Sequence, residues 1–347
     1  MREPLADHTT LRLGGPANSF ITHTDPADWA DIARAACEPK QPRLILGGGS
    51  NIIATDAGFP GMVVRMATRG ITARALQQGQ VEVTVEAGEP LSSLVDFALT
   101  EGLSGVEYLV GIPGTTGAAP IQNTGAYGQQ ISDTLTSITA YDWSTHRIVR
   151  IPASECGFGY RISSFKRHPG RFTILTTTLH LRRASQAAPV TYQLLADVLN
   201  VPLGTRPPLA EAAVAVATDR QARGLTLPSS GPDARQVGSV FLNPTVNEHQ
   251  AAHVRAYGGP LHYDARGEAR VSAGWLLQHV GYAPGCRLAE GIYCSTQRTL
   301  TVVARGSVTS ENYLGILYRL SREVEQATGI QMHLEPTTRT RKRPAAR

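Results

Sequence analysis

The segment Gly111–Gly128, GIPGTTGAAPIQNTGAYG, holds five glycines and two prolines and carries no charge. Glycine admits positive φ and close backbone approach, and proline fixes φ and removes a hydrogen-bond donor, so neither a helix nor a regular strand is expected across it. Disorder is disfavoured as well, because Ile112, Ile121 and Tyr127 stand where a disordered segment would carry charge. A structureless loop beyond about 12–15 residues in a compact domain is usually functional. Lacking charged side chains, this one grips a ligand through its backbone, and arrays of backbone N–H groups are anion sites whose common guest is phosphate. The competing reading is a long surface loop. Either way, the rest of the chain has to hold an uncharged coil of this length in place.

That scaffold reads as helix and strand in three parts. Residues 1–69 form a small α/β subdomain. In it, Thr10–Gly15 is a short strand entering a glycine turn, and Pro26–Ala36 is a helix with Asp25 as N-cap and Pro26 at the first helical position. Apolar strands follow at Leu44–Leu46 and Met62–Val64, with a second glycine loop, Gly47-Gly48-Gly49-Ser50-Asn51, running between them into Ile52-Ile53. Residues 70–215 hold an alternating strand at Val81–Val85 and an amphipathic helix over Pro90–Thr100. Beyond the Gly111 loop, strands at Ile138–Asp142, Arg147–Ile151 and Phe172–Leu181 imply an antiparallel sheet. A helix at Leu209–Arg223 bridges into residues 216–336. There the pattern gives a strand through Val237–Pro244 carrying Ser239 and Asn243, and helices at Ser272–Val280 and Ser310–Thr328. A closing strand, Ile330–Leu334, delivers Glu335, and residues 337–347 read as a basic, disordered tail. The fold class expected is α+β.

The formal net charge of +5 resides in that tail: residues 339–347 hold five basic groups and no acid, and the 33 basic residues less those five equal the 28 acidic ones. No basic face remains for a nucleic acid. Cys37, Cys156, Cys286 and Cys294 form no CxxC pattern, which argues against a disulfide framework or a zinc ribbon. No apolar run is long enough to span a membrane and the N-terminus lacks an apolar signal core, so a cytoplasmic protein is expected. His249 and His253 stand at i, i+4, but the metalloprotease pattern needs Glu where Gln250 stands, and no metal site is expected. The Gly47 loop fails both nucleotide templates, since Ile52 occupies the third glycine position of GxGxxG and no Gly-Lys-Ser/Thr follows. Alone it is equally a tight turn. Paired with the Gly111 loop, it offers two backbone-rich loops for the two phosphates of a dinucleotide.

In order along the chain stand LRLGG at Leu11–Gly15, GGGSNI at Gly47–Ile52, the Gly111–Gly128 loop and YRISSFK at Tyr160–Lys166. They are followed by GSVFLNP at Gly238–Pro244, AGWLL at Ala273–Leu277 and HLEP at His333–Pro336. Together these resemble the UDP-N-acetylenolpyruvoylglucosamine reductases over nearly the whole chain, the Gly111 loop and YRISSFK being the specific parts. The resemblance implies a two-subdomain FAD-binding fold of the vanillyl-alcohol-oxidase type plus a C-terminal α+β substrate-binding domain. It implies non-covalent FAD, NADPH as hydride donor, and reduction of the enolpyruvyl group of a UDP-sugar in peptidoglycan precursor synthesis. Its partners would be that UDP-sugar and NADPH, with no nucleic acid, no membrane, and a monomeric state. Two alternatives stay open: another flavin oxidoreductase of the same superfold, and a flavin-binding protein without catalysis.

By the same resemblance, FAD contacts fall on Gly47, Gly48, Gly49, Ser50 and Asn51. They continue on Ile112, Pro113, Gly114, Thr115, Gly117, Ala118, Gln122, Asn123, Gly125, Ala126 and Tyr127. Arg161, Ser239 and Glu335 take the catalytic positions, and Tyr160, Lys166, Tyr192 and Asn243 the substrate positions. Tyr192 lies in Pro189–Leu195, which resembles the tyrosine-bearing loop of one subclass. The residue types suit the implied chemistry. Arginine brings charge and donors to a growing enolate, serine a proton, and glutamate helps when protonated or acting through a proton or water. Three positions depart from the family pattern. Thr226 stands where the subclass has a phosphate-binding lysine, Thr337 where glutamate is usual, and a histidine is absent around Cys294–Gln297. Lys166 or Arg223 would then neutralise the UDP phosphates.

Overall fold

The alternation of Gln80–Glu86 is realised as a strand in which Val81, Val83 and Val85 are buried and the residues between them are not. In the computed structural model, which describes residues 3–37, 42–263 and 267–339, this strand belongs to an antiparallel sheet. Its order is Arg147–Pro152, Leu135–Asp142, Phe172–Arg183, Gln80–Glu86, Ile71–Ala75, and Leu103–Ser104 pairs the end of Phe172–Arg183. Helix Leu91–Thr100 sends Leu91, Leu94, Val95 and Ala98 into the same core as the three valines. Each such Leu or Val contributes about 1.5–3 kcal/mol by leaving water. Pro90 serves as the N-cap residue of this helix, one position before the helical start expected for it.

A smaller sheet runs Ala17–His23, Phe59–Met66, Arg43–Leu46, the last two parallel. Asp25 caps the turn Pro26–Asp28 by accepting the Ala27 N–H at 2.9 Å, and the chain continues into helix Trp29–Ala36. Trp29 packs edge-on against Tyr141 and Trp143 of the large sheet region, at 5.6 and 6.1 Å between ring centroids. The helix Leu209–Ala222, read above as a bridge into the third part, instead buries Leu209, Ala212 and Val216 against Tyr108, Tyr127 and Leu195.

Packing divides the chain into two units. The first takes Asn18–Gly48 and Pro60–Ala222 and contains the elements above. The second takes, among the described residues, 3–17, 49–59 and 223–339. Its sheet is antiparallel, ordered Gln236–Ser239, Thr301–Ala304, Ile292–Cys294, Arg287–Ala289. Helix Ser310–Thr328 brings Tyr313, Leu317, Leu320 and Val324 into the core, and the buried Tyr313 hydroxyl donates to the Val302 carbonyl at 2.8 Å. The start of this helix is capped twice. Thr309 Oγ1 accepts the Asn312 N–H, and the Asp56 carboxylate accepts those of Ser310 and Glu311.

Several local expectations change. Leu11 and Leu13, read as a strand in the first subdomain, are turned inward around Arg12 at φ +54° and pack with Ile53 into the second unit's core. The strand expected through Val237–Pro244 ends at Ser239, where Gly238 at φ +74° shifts the register. Ile330–Leu334 is not a strand: Leu334 makes a single bridge to Phe241, and pairing resumes after Pro336, which has no N–H to offer. Thr337–Arg339, assigned above to the tail, form a strand parallel to Ile52–Ala54; residues 340–347 lie outside the described residues. Among the described residues no helix is long and apolar enough to cross a membrane.

Candidate functional site

In the first unit, the Gly111 loop is more regular than its composition suggests. Ala119–Gln122 make a 3-10 turn closed by Asn123 at φ +48°, and Gly125–Ala126 pair with Gln129–Gln130. Nor is the loop an open row of donors. The N–H groups of Thr116 and Gly117 donate to the Glu89 and Ala87 carbonyls, and those of Ala118 and Ala119 to that of Thr115. What it leaves open are hydroxyls: Thr115 Oγ1 and Thr116 Oγ1 are buried with no hydrogen-bond partner among the described residues. Each unpaired buried hydroxyl costs roughly 1–3 kcal/mol, which points to an acceptor that completes the site.

The two glycine loops meet at this point. A Cβ on Gly47 would lie 2.6 Å from Thr115 Oγ1, and one on Gly48 would lie 3.0 Å from Gly114 Cα. Any side chain at these positions would fill the space beside Thr115. A backbone cradle with orphaned hydroxyls beneath it fits a dinucleotide phosphate. The division between the two units falls inside the first loop, so Gly49, Ser50 and Asn51 group with the second.

The Gly111 loop is braced from two sides. From helix Leu209–Ala222, Asp219 Oδ2 accepts the Tyr127 hydroxyl at 2.6 Å, and Arg220 donates to the Gly111 carbonyl at 3.3 Å. From the YRISSFK segment, Arg161 Nη2 donates to the Gly125 carbonyl at 2.9 Å and Ser163 Oγ to that of Ile121 at 2.6 Å. Asn123 Nδ2 returns a bond to the Gly159 carbonyl at 3.2 Å. Ser163 also caps the short helix Ser164–Arg167, whose Lys166 Nζ donates to the Arg161 carbonyl at 3.1 Å. Arg161 itself sits at φ +51°. A left-handed backbone at a non-glycine residue costs about 1–3 kcal/mol and gathers at functional sites. Tyr160, 40% exposed, stands beside it. Tyr192 is the N-cap residue of helix Gln193–Leu199, and a Cβ on Gly128 would lie 3.2 Å from Tyr192 Cβ. The first unit thus gathers Arg161, Tyr160, Lys166 and Tyr192 around the glycine loop.

In the second unit, Ser239 ends its strand opposite Thr301. The Glu335 N–H donates to the Val240 carbonyl at 3.0 Å, so the two segments carrying Ser239 and Glu335 run side by side. Asn243 Oδ1 accepts the Ala273 N–H at 3.0 Å, capping helix Ala273–His279 together with Ser272. The polar segment Ser295–Arg298 is ordered by Asp233, whose Oδ2 accepts Ser295 Oγ, Thr296 N–H and Thr296 Oγ1, and whose Oδ1 faces Arg305 at 3.2 Å. Burial pushes the Asp233 carboxyl pKa up, but the bonds from Thr296, Ser295 and Arg305 outweigh it and hold the group below the usual carboxylate range. From the end of this segment, Arg298 Nη2 donates to Ser239 Oγ at 3.4 Å. Sequence reasoning missed Arg298; its one signal is a cation in a neutral run leading into an apolar strand.

Residues 17–151 match the family model described as an FAD binding domain. Residues 231–338 match the model described as UDP-N-acetylenolpyruvoylglucosamine reductase, C-terminal domain. The reductase of that name from Salinispora arenicola is 39% identical over 339 residues, covering 96% of this chain and 93% of that protein. That of Streptomyces avermitilis is 40% identical over 345 residues, with the same coverage. The crystal structure of UDP-N-acetylenolpyruvylglucosamine reductase from Thermus caldophilus aligns with a TM-score of 0.64 at 25% identity, over 97% of this chain and 98% of that one.

Proposed function

The chain belongs to the UDP-N-acetylenolpyruvoylglucosamine reductase family, and from that premise we propose that Arg161, Ser239 and Glu335 carry out its reaction. The chain is an NADPH-dependent flavoprotein oxidoreductase of peptidoglycan precursor synthesis, converting the enolpyruvyl group of its UDP-sugar to the lactyl group of UDP-N-acetylmuramate. FAD, when bound, would supply the hydride chemistry that links NADPH to the vinyl CH2 carbon of the substrate. Gly47, Gly48 and the Gly111 loop would hold its diphosphate, with the Thr115 and Thr116 hydroxyls as donors.

As hydride arrives, negative charge grows on the substrate carboxylate. Arg161 meets that charge with a guanidinium held in place by the Gly125 carbonyl. Ser239 then gives its proton to the α-carbon; the enolate is basic enough to take it from an alcohol. Glu335 supports the charge as a neutral acid or through a water, since a bare carboxylate would repel an enolate. Asn243 and Tyr192 contact the sugar nucleotide, Tyr160 lines it, and Lys166 or Arg223 supplies the phosphate cation absent at Thr226. The unit made of Asn18–Gly48 and Pro60–Ala222 corresponds to the FAD-binding part, and the unit that includes residues 223–339 to the substrate-binding part, so the boundary falls after Ala222 rather than at residue 215. The protein works as a cytoplasmic monomer without nucleic acid.

The observation that carries the catalytic reading is the Glu335 N–H to Val240 carbonyl bond, which sets the segment carrying Glu335 beside the one carrying Ser239, far apart in sequence. The test separates the two half-reactions by stopped flow. Ser239→Ala should leave FAD reduction by NADPH intact and slow reoxidation by the enolpyruvyl sugar by roughly 10²–10⁴-fold. Equal slowing of both steps, or a normal second step, removes Ser239 from the mechanism.

A further inference from the structure

Ser239 Oγ accepts a hydrogen bond from Arg298 Nη2 at 3.4 Å, and Arg298 Nη1 donates to Thr301 Oγ1 at 3.2 Å. Thr301 is the cross-strand partner of Ser239, so the guanidinium is anchored on the strand facing the serine. Asp233 orders the turn that delivers it, through Ser295 and Thr296. A guanidinium has five donors and no acceptor. It therefore occupies a lone pair of Ser239 and cannot take its hydrogen, which is left to point elsewhere. The same fixed charge lies beside the oxygen that becomes negative when the serine gives up its proton, and a close opposite charge favours the ionised form.

We propose that Arg298 is the positioning residue for Ser239: it aims the serine hydrogen away from itself and stabilises the alkoxide left by proton transfer. The proposal rests on the reading of Ser239 as proton donor. The step balances: the Ser239 O–H bond breaks, a C–H bond forms at the substrate α-carbon, and the alkoxide regains a proton from water.

The test uses the FAD-loaded full chain as wild type, Ser239→Ala, Arg298→Met and the double variant, each checked for FAD content and melting temperature. Arg298→Met should slow reoxidation by the enolpyruvyl sugar about 10-fold, the effect of a one-unit change in acidity. It should add nothing in the Ser239→Ala background, since coupled residues are not additive. A readout independent of turnover uses Ser239→Cys. The pH midpoint for iodoacetamide alkylation at position 239, followed by peptide mass spectrometry, should rise by about 1 pH unit when Arg298→Met is added. Arg298→Lys, which keeps the charge, should restore part of the rate and part of the midpoint. An unchanged midpoint and unchanged reoxidation in Arg298→Met overturn the role of Arg298 while slow Ser239→Ala leaves the serine reading standing. Normal reoxidation in Ser239→Ala overturns both.

Discussion

Thr115 is the residue at which cofactor binding and stability should move in opposite directions. Its hydroxyl is buried beside Gly47 without a hydrogen-bond partner among the described residues. Thr115→Val keeps the shape and removes the hydroxyl. In the FAD-free protein this deletes an unsatisfied buried group, which costs roughly 1–3 kcal/mol to maintain, so the variant should melt no lower than wild type and rise by up to several degrees. On the proposed reading the hydroxyl would donate to a phosphate oxygen of bound FAD, a charge-assisted bond worth about 1.5–3 kcal/mol. Losing it should raise the Kd for FAD about 10- to 150-fold. Melting of the FAD-free protein and titration of FAD by flavin fluorescence read the two effects separately. A lower melting temperature would mean that the hydroxyl is satisfied in the free protein, and an unchanged Kd would remove Thr115 from the phosphate site; either result refutes the reasoning.

The other predictions concern the substrate and the second unit. Thr226→Lys should lower KM for the UDP-sugar with little change in kcat, the signature of added uniform binding; an unchanged KM means that another cation already neutralises the phosphates. Asp233→Asn should destabilise the protein by about 2 kcal/mol, because Ser295, Thr296 and Arg305 lose the carboxylate they point at. The sign with pH follows from the depressed folded-state pKa. The carboxylate's contribution is present above the ordinary Asp range and lost as pH falls through the folded value, so the melting gap between wild type and variant should narrow in acid, as thermal scans from neutral to low pH will check. Burial pushes the Cys156 thiol up to about 11, so Cys156 should resist iodoacetamide at pH 8 in the folded protein and react only on unfolding, as peptide mass spectrometry will show.

Elements with strong local periodicity were legible in the sequence. Gln80–Glu86, Leu91–Thr100 and Ser310–Thr328 appear close to their expected bounds because their apolar spacing matches the face they bury. The anion-site reading of the Gly111 loop was legible from composition, but the donors differ: the N–H groups of Thr116, Gly117, Ala118 and Ala119 are already bonded to carbonyls, and it is the hydroxyls of Thr115 and Thr116 that remain open. Contacts between distant segments were not legible. Leu11, Leu13 and Ile53 carry no local sign that they pack with Tyr313 and Leu317. The same holds for Thr337–Arg339, whose strand exists only through Ile52–Ala54, and for Arg298, whose role depends on a serine on another strand. The catalytic candidates came from resemblance to a family rather than from local pattern, because a strand serine and a glutamate before a proline have no periodicity of their own.

The most direct test of the account follows the flavin absorbance of the purified chain through one cycle. The protein should be yellow, release FAD rather than FMN on denaturation, and bleach on addition of NADPH without oxygen. Colour should then return when the enolpyruvyl UDP-sugar is added, with a product two hydrogens heavier. A colourless protein that does not take up FAD, or a bleached flavin that the enolpyruvyl sugar fails to reoxidise, would contradict it.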